Sequence, residues 1–274
     1  MVGVPDTPST IDLERYPLHK LDAGAGRTLV EQCRRDIVEN SLCQLQGFLK
    51  ASTVKTAAAE ALRCGESAYH MSNEFTYGEG MPYAIDPDAL PKDDPRRYRI
   101  RTKLRFVASD EIPSNSLLLA LYRWEPMLQF VSRVFQCEPL YRASDKLNGL
   151  NYLVYENDDE QDWHFDEQDF SVTIQLQSAE QGGFEFVPNL RGADGEDLDG
   201  MRLAQQGVHP KLVCPKSEPG TLSLFEGRYN YHRATKVVGP RKRLMALLQY
   251  YDGPYDPMDS ETVELNRMFY GRGS

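Results

Sequence analysis

WHFDEQDFSVTIQLQ, residues 163–177, holds a ligand-type pair and a strand-type run in one piece of chain. In an extended backbone successive side chains alternate between faces, so His164 and Asp166 emerge on the same side with Phe165 between them. The FSVTIQLQ that follows is dominated by apolar and β-branched residues and predicts a strand. Working outward, further short β-type runs appear at LNYLVYE (150–156), GFEFVP (183–188), KLVCP (211–215), GTLSLFEG (220–227) and RLMALLQYYD (243–252). Many short strands separated by turns predict a sandwich or barrel. Residues 189–207, centred on GADGEDLDG (192–200), have too little apolar content to build core and are expected to be a loop between two strands.

Upstream the periodicity changes. RTLVEQCRRDIVEN (27–40) places Leu29, Val30, Cys33, Ile37 and Val38 at helical spacing. Ser52 is a candidate N-cap for a second helix through VKTAAAEALRCGESAYHM (54–71). Residues 72–95 are rich in Gly, Pro, Asp and Tyr without a sustained period, which predicts a long surface loop and a candidate lid. RRYRIRTKLRFV (96–107) alternates, sending Arg99, Arg101, Lys103 and Arg105 to one strand face and Ile100 and Leu104 to the other. LLLALYRWEPMLQFVSRVF (117–135) predicts helix interrupted near Pro126. The expected class is α+β: a double-stranded β-helix, or jelly-roll, cupin-like core with N-terminal helices packed on it. One domain of 274 residues is expected, with 1–138 as mainly helical support and lid, 139–253 as the jelly-roll core and 254–274 as a C-terminal extension.

Forty-one acidic against thirty-one basic residues give a formal charge of -10, which would repel a phosphate backbone and argues against nucleic acid as a partner. No stretch approaches the roughly 20 apolar residues of a membrane span, and MVGVPDTPSTIDLERYP lacks the segments of a secretory signal. A soluble, cytoplasmic protein acting on a small molecule is the expectation. The five cysteines, Cys33, Cys43, Cys64, Cys137 and Cys214, are scattered without a CxxC pair and predict free thiols.

A single HxD pair arises readily by chance in a chain with forty-one acidic residues and five histidines. His232, sixty-eight residues downstream of His164, adds the third member. Two imidazoles and one carboxylate on one face of a metal leave three positions open, enough for a bidentate oxo acid and dioxygen, and the donor set suits Fe(II). A 2-oxo acid also needs its distal carboxylate held, which a guanidinium fork does bidentately. Arg241 and Arg243 are the candidates; they share strand parity, and Arg243 lies deeper in the apolar run. Asn151, on the strand leading toward the dyad, is a candidate hydrogen-bonding partner of cosubstrate or substrate. For substrate, the candidates are the basic face of Arg101, Lys103 and Arg105 for a carboxylate, Asp169 for an ammonium, Trp163 beside the dyad, and His70 near the lid. His19 and His209 lack a matching partner.

WHFDEQDFSVTIQLQ, GGFEFVPNLR (182–191), GTLSLFEGRYNYHRATKVVGPRKRLMALLQYYD (220–252) and the terminal RMFYGR (267–272) together resemble, in order, the blocks of the 2-oxoglutarate/Fe(II) oxygenases. Within them the likeness is to the BesD/HalD-like group that hydroxylates or halogenates free amino acids. The resemblance implies His164, Asp166 and His232 as iron ligands, Arg243 as the anchor of 2-oxoglutarate, and Fe(II), 2-oxoglutarate and O2 as the reacting set. In halogenating members a small residue replaces the carboxylate and leaves room for chloride; this chain keeps Asp166, which implies hydroxylation. Desaturation, cyclisation or fragmentation on the same centre is the alternative, and a non-catalytic cupin-like binding protein stands as a different class.

Overall fold

The structure is a computed structural model that describes residues 9–76, 86–253 and 256–273. Along the chain run α1 (Gly24–Asn40), β1 (Leu42–Leu45), α2 (Ala51–Gly65), β2 (His70–Thr76) and β3 (Arg99–Val107). Next come α3 (Leu117–Arg123), α4 (Glu125–Phe135), β4 (Tyr141–Arg142), β5 (Leu150–Tyr155), β6 (Glu160–His164) and β7 (Ser171–Gln177). After them lie β8 (Phe184–Val187), β9 (Arg191–Gly192), β10 (Gly195–Glu196), α5 (Leu198–Gln205) and β11 (Leu222–Phe225). The chain closes with β12 (Tyr231–Ala234), β13 (Arg243–Leu248), β14 (Tyr250–Tyr251) and α6 (Ser260–Tyr270).

The main sheet is antiparallel, ordered β1-β11-β7-β13-β5-β3-β6-β12-β8, with β2 on the other edge of β3. β3 makes the corner. Arg105, Phe106 and Val107 pair with β5, whereas Thr102 and Lys103 pair with β6, so one strand hands the sheet from one layer to the other. Alternation then sorts the side chains. On the outer face of β7, Val172, Ile174 and Leu176 join Leu222, Leu224, Leu244 and Ala246 in a core shared with Val30, Cys33, Ile37, Ala57 and Ala61 of α1 and α2. Each Val, Leu or Ile among them contributes about 1.5–3 kcal/mol by leaving water. α2 approaches β5 closely enough that a Cβ on Gly65 would come within 2.9 Å of Val154 Cγ2. A separate cluster, with Trp163, Phe165, Val187, Met201 and Tyr231, covers the back of β6, β8 and β12 under α5.

Several elements differ from expectation. The N-cap of α2 is Lys50, with Ser52 inside the first turn. The region before residue 138 supplies β1, β2 and β3 to the sheet as well as helices. Of the expected lid, Ser72–Thr76 belongs to β2, paired with β3 through Arg99–Lys103, while residues 77–85 lie outside those described. KLVCP is not a strand: Val213 makes an isolated bridge to Phe186, because Pro210 and Pro215 bracket it too tightly for a longer ladder. The expected loop at 189–207 contains the β9–β10 hairpin and α5, capped by Asp197 accepting from Gly200 N–H at 2.9 Å. The interruption near Pro126 is as expected, with α3 ending at Arg123 and Pro126 in the first turn of α4.

Candidate active site

His164 closes β6 and His232 lies in β12, and the two are direct partners across the antiparallel pair. That register brings the imidazole centroids to 4.1 Å. Asp166 lies two residues beyond the strand end, where its N–H donates to Gly227 O at 3.1 Å. Asp166 Oδ1 is 3.6 Å from His164 Nε2 and 3.4 Å from His232 Nε2, and one ligand atom from each residue fits within a 4.8 Å cluster.

Both rings are oriented through their second nitrogen. His164 Nδ1–H donates to Asp162 O at 2.6 Å and His232 Nδ1–H donates to Asn230 O at 2.8 Å, which leaves the Nε2 lone pairs facing Asp166. Burial and the adjacent His232 lower His164 to about 4, against the opposing pull of Asp166 and the Asp162 carbonyl. It is therefore neutral near pH 7, the form that binds metal. Burial pushes Asp166 upward, but His232, His164 and Arg191 outweigh it and hold the carboxyl below its ordinary value. Two imidazoles and a carboxylate aimed at one point fit a divalent transition ion. Phe184 and Phe225 flank His232 with ring centroids at 5.7 and 5.1 Å.

The cluster opens on a cavity of about 700 Å³. Arg243, the first residue of β13, also lines it. It is 4% exposed, donates to Gly183 O at 3.0 Å and lies over the Tyr155 ring, 5.4 Å from its centroid. Among the described residues no carboxylate pairs with it. Burial lowers its pKa, opposed by Tyr155, yet a guanidinium remains charged.

No family model and no curated protein matches the chain. Solved structures do. The non-haem alpha-ketoglutarate-dependent carbocyclase SnoK from nogalamycin biosynthesis is 16% identical with a TM-score of 0.57, over 88% of this chain and 92% of that one. The epimerase SnoN, solved with Fe3+, alpha-ketoglutarate and nogalamycin RO, is 17% identical with a TM-score of 0.55, over 82% and 84%. An oxidoreductase of the 2OG-Fe(II) oxygenase family from Burkholderia pseudomallei is 13% identical with a TM-score of 0.50, over 85% and 92%. The fold is a jelly roll like that of these structures.

Inside this jelly roll several expected contacts lie elsewhere. Arg241 precedes β13, is exposed and donates to Ala179 O at 3.2 Å, so the shared parity with Arg243 does not carry it into the cavity. Asn151 is buried behind the wall: its Nδ2 donates to Val107 O and Leu147 O, and its Oδ1 accepts from Gln249. Arg101 pairs with Asp158 and Glu160, Lys103 with Asp158 and Asp159, and Arg105 with Glu156, all on the face of β3 turned from the cavity. His70 pairs with Asp159 at 3.1 Å, and Asp169 pairs with Arg228 at 2.7 Å. Trp163 is fully buried, stacked on Tyr231 with Arg233 over its ring.

The cavity uses other residues. Gln161 places Nε2 at 3.2 Å from His164 Nε2, and Thr102 and Phe106 reach in from the face of β3 opposite its basic residues. α6 forms one wall through Thr262, Leu265, Asn266 and Phe269. Those positions recur at i, i+3, i+4 and i+7, a helical stripe visible in the sequence, but nothing in the stripe says which surface it covers.

Proposed function

We propose that the chain is a 2-oxoglutarate-dependent, mononuclear non-haem Fe(II) oxygenase that hydroxylates an unactivated C–H bond of a small free amino acid. One arrangement carries the reading: His164, Asp166 and His232 share a cavity with the buried guanidinium of Arg243, which lacks a carboxylate partner among the described residues. A buried cation without an anion is costly, so a site built this way favours an anionic ligand. 2-Oxoglutarate suits both features, with an oxo-acid end to chelate a metal and a distal carboxylate for the Arg243 fork.

On this reading His164, Asp166 and His232 hold the ion on one face. Fe(II), bound with 2-oxoglutarate and dioxygen, supplies an oxidant able to attack an unactivated C–H bond. The carbonyls of Asp162 and Asn230 accept from Nδ1–H and so turn each ring with Nε2 toward the ion. Phe184 and Phe225 hold the plane of His232 and exclude water beside it. The Asp166 carboxylate occupies the place a chloride would need and repels it, which favours hydroxylation over halogenation. An amino acid is supported by the motif resemblance. It also suits the charge of the wall, where Glu167, Asp252 and Asp256 accompany Arg243. SnoN is an epimerase and SnoK a carbocyclase, so other outcomes at carbon belong in the test.

Purified chain is incubated with Fe(II), 2-oxoglutarate, oxygen and an amino-acid panel, and succinate and products are followed by mass spectrometry. Succinate release with an amino acid gaining one oxygen is expected. Loss of two hydrogens would replace hydroxylation by desaturation or cyclisation. Absence of succinate under every condition would overturn the oxygenase reading in favour of a binding protein.

A further inference from the structure

The turn between β11 and β12 presses on the segment that follows β6. Asp166 N–H donates to Gly227 O at 3.1 Å, Arg228 donates to Glu167 O at 3.0 and 2.5 Å, and Arg228 pairs with Asp169 at 2.7 Å. The turn is also held from its other side. Glu226 N–H donates to Ser41 O at 3.4 Å, and Asn230 Nδ2 donates to Glu226 O at 2.5 Å while its Oδ1 accepts from Asn189 N–H at 2.9 Å. The two backbones are thereby fixed against each other.

Gly227 sits where they come closest. Its φ is outside the left-handed region, so the backbone conformation alone does not call for glycine. The neighbouring side chain does. A Cβ at this position would overlap Asp166 Oδ2 and would lie 2.5 Å from Asp166 Cγ and 2.8 Å from Asp166 Cβ. The carboxylate occupies the volume a methyl group would take.

We infer that Gly227 is a positioning residue for Asp166: its bare backbone is the cradle that aims the carboxylate at His164 and His232, and a side chain there expels it from the metal position. The inference rests on the reading of Asp166 as a metal ligand. Because both backbones are pinned, the carboxylate turns away about χ1, which clears the overlaps with Oδ2 and Cγ, and the remaining 2.8 Å approach to Asp166 Cβ takes only a few tenths of an ångström of backbone give. Expulsion therefore removes a ligand while leaving the fold in place.

The test titrates Co(II) into metal-stripped full-length wild type, Gly227→Ala, Asp166→Gly and the double variant, reading affinity by calorimetry, coordination by visible absorption and folding by urea unfolding. Gly227→Ala is expected to lose about tenfold to a hundredfold in Co(II) affinity, with an absorption spectrum shifted toward that of Asp166→Gly. In the Asp166→Gly background the same alanine should cost nothing further, since the methyl enters space already vacated. Wild-type affinity and spectrum in Gly227→Ala, or a penalty repeated in full in the double variant, would overturn the inference with the metal reading intact. If Gly227→Ala fails to fold, the double variant decides: a folded double with the affinity of Asp166→Gly supports the cradle, and an unfolded one overturns it. Wild-type Co(II) binding by Asp166→Gly would overturn the metal reading itself, and the inference with it.

Discussion

Arg243 and Arg241 stand two residues apart, one buried against Gly183 O and the Tyr155 ring, the other on the surface beside Ala179 O. Arg243→Ala should therefore raise the KM for 2-oxoglutarate about a hundredfold or more, equivalent to roughly 3 kcal/mol for an unpaired buried carboxylate. Arg241→Ala should stay within about twofold, since surface charges contribute little. The cosubstrate dependence of succinate release measures both, and the reverse ranking would remove Arg243 from the anchor position. Asp166 supports a second expectation. The unmodified enzyme should give no chlorinated product in abundant chloride, and a chlorine isotope pattern in its product would show that Asp166 does not ligate as proposed. The His164 and Asp166 parity was legible because strand period is a local property. The choice between Arg241 and Arg243 could not be settled by parity, because β13 begins at Arg243 and parity has no meaning before the strand starts. Asn151 misled for a related reason: whether a polar strand residue faces a ligand or a ring of neighbouring amides depends on partners distant in sequence.

β3 shows what alternation can and cannot convey. Its two faces were legible, but the basic face turned out to meet Glu156, Asp158, Asp159 and Glu160, carboxylates that the β3–β5 and β3–β6 registers bring opposite. Arg101→Gln should accordingly leave the substrate KM within about twofold and cost less than ~1 kcal/mol, as partly exposed pairs do, whereas Lys103→Gln, which takes a partner from the buried Asp159, should cost more stability with the KM equally unmoved. A tenfold rise in KM on either change would return that face to substrate binding. α6 behaves differently, because its stripe forms a cavity wall and is tied down at Tyr270. Tyr270 OH donates to Asn148 Oδ1 at 3.0 Å, within a set of amides that also holds Gln249 and Asn266. Tyr270→Phe should cost about 1 kcal/mol in urea unfolding and raise the substrate KM while leaving Co(II) affinity unchanged. Unaltered KM with the same loss of stability would make α6 a cover without a part in substrate selection.

Across the whole molecule, Glu156 joins strands that are remote in sequence, meeting Lys242 at 2.7 Å and Arg105 at 3.2 Å. The Lys242 hydrogen bond lowers its pKa; burial opposes this, and Arg105 assists it. A carboxyl depressed in the folded state contributes stability that is fully present above its unfolded value of about 4.5 and is lost as pH falls through the lower folded value. Glu156→Gln should flatten the acid limb of the stability–pH curve; an unchanged limb would mean that the pair does not discriminate between the folded and unfolded chain. The jelly-roll class was legible from the spacing of short apolar runs. Strand order was not, since the pairing of β3 with both β5 and β6 depends on contacts that no local pattern encodes. The direct opposition of His164 and His232 in that sheet has an outcome for how this chain tolerates change. Their spacing is inherited from the ladder between β6 and β12 and from nothing in the covalent path between them. The intervening chain is thus free to vary in length at exposed points without disturbing the centre. A protein permuted to begin at Asp194, at the exposed tip of the β9–β10 hairpin, should still assemble the same pair of imidazoles.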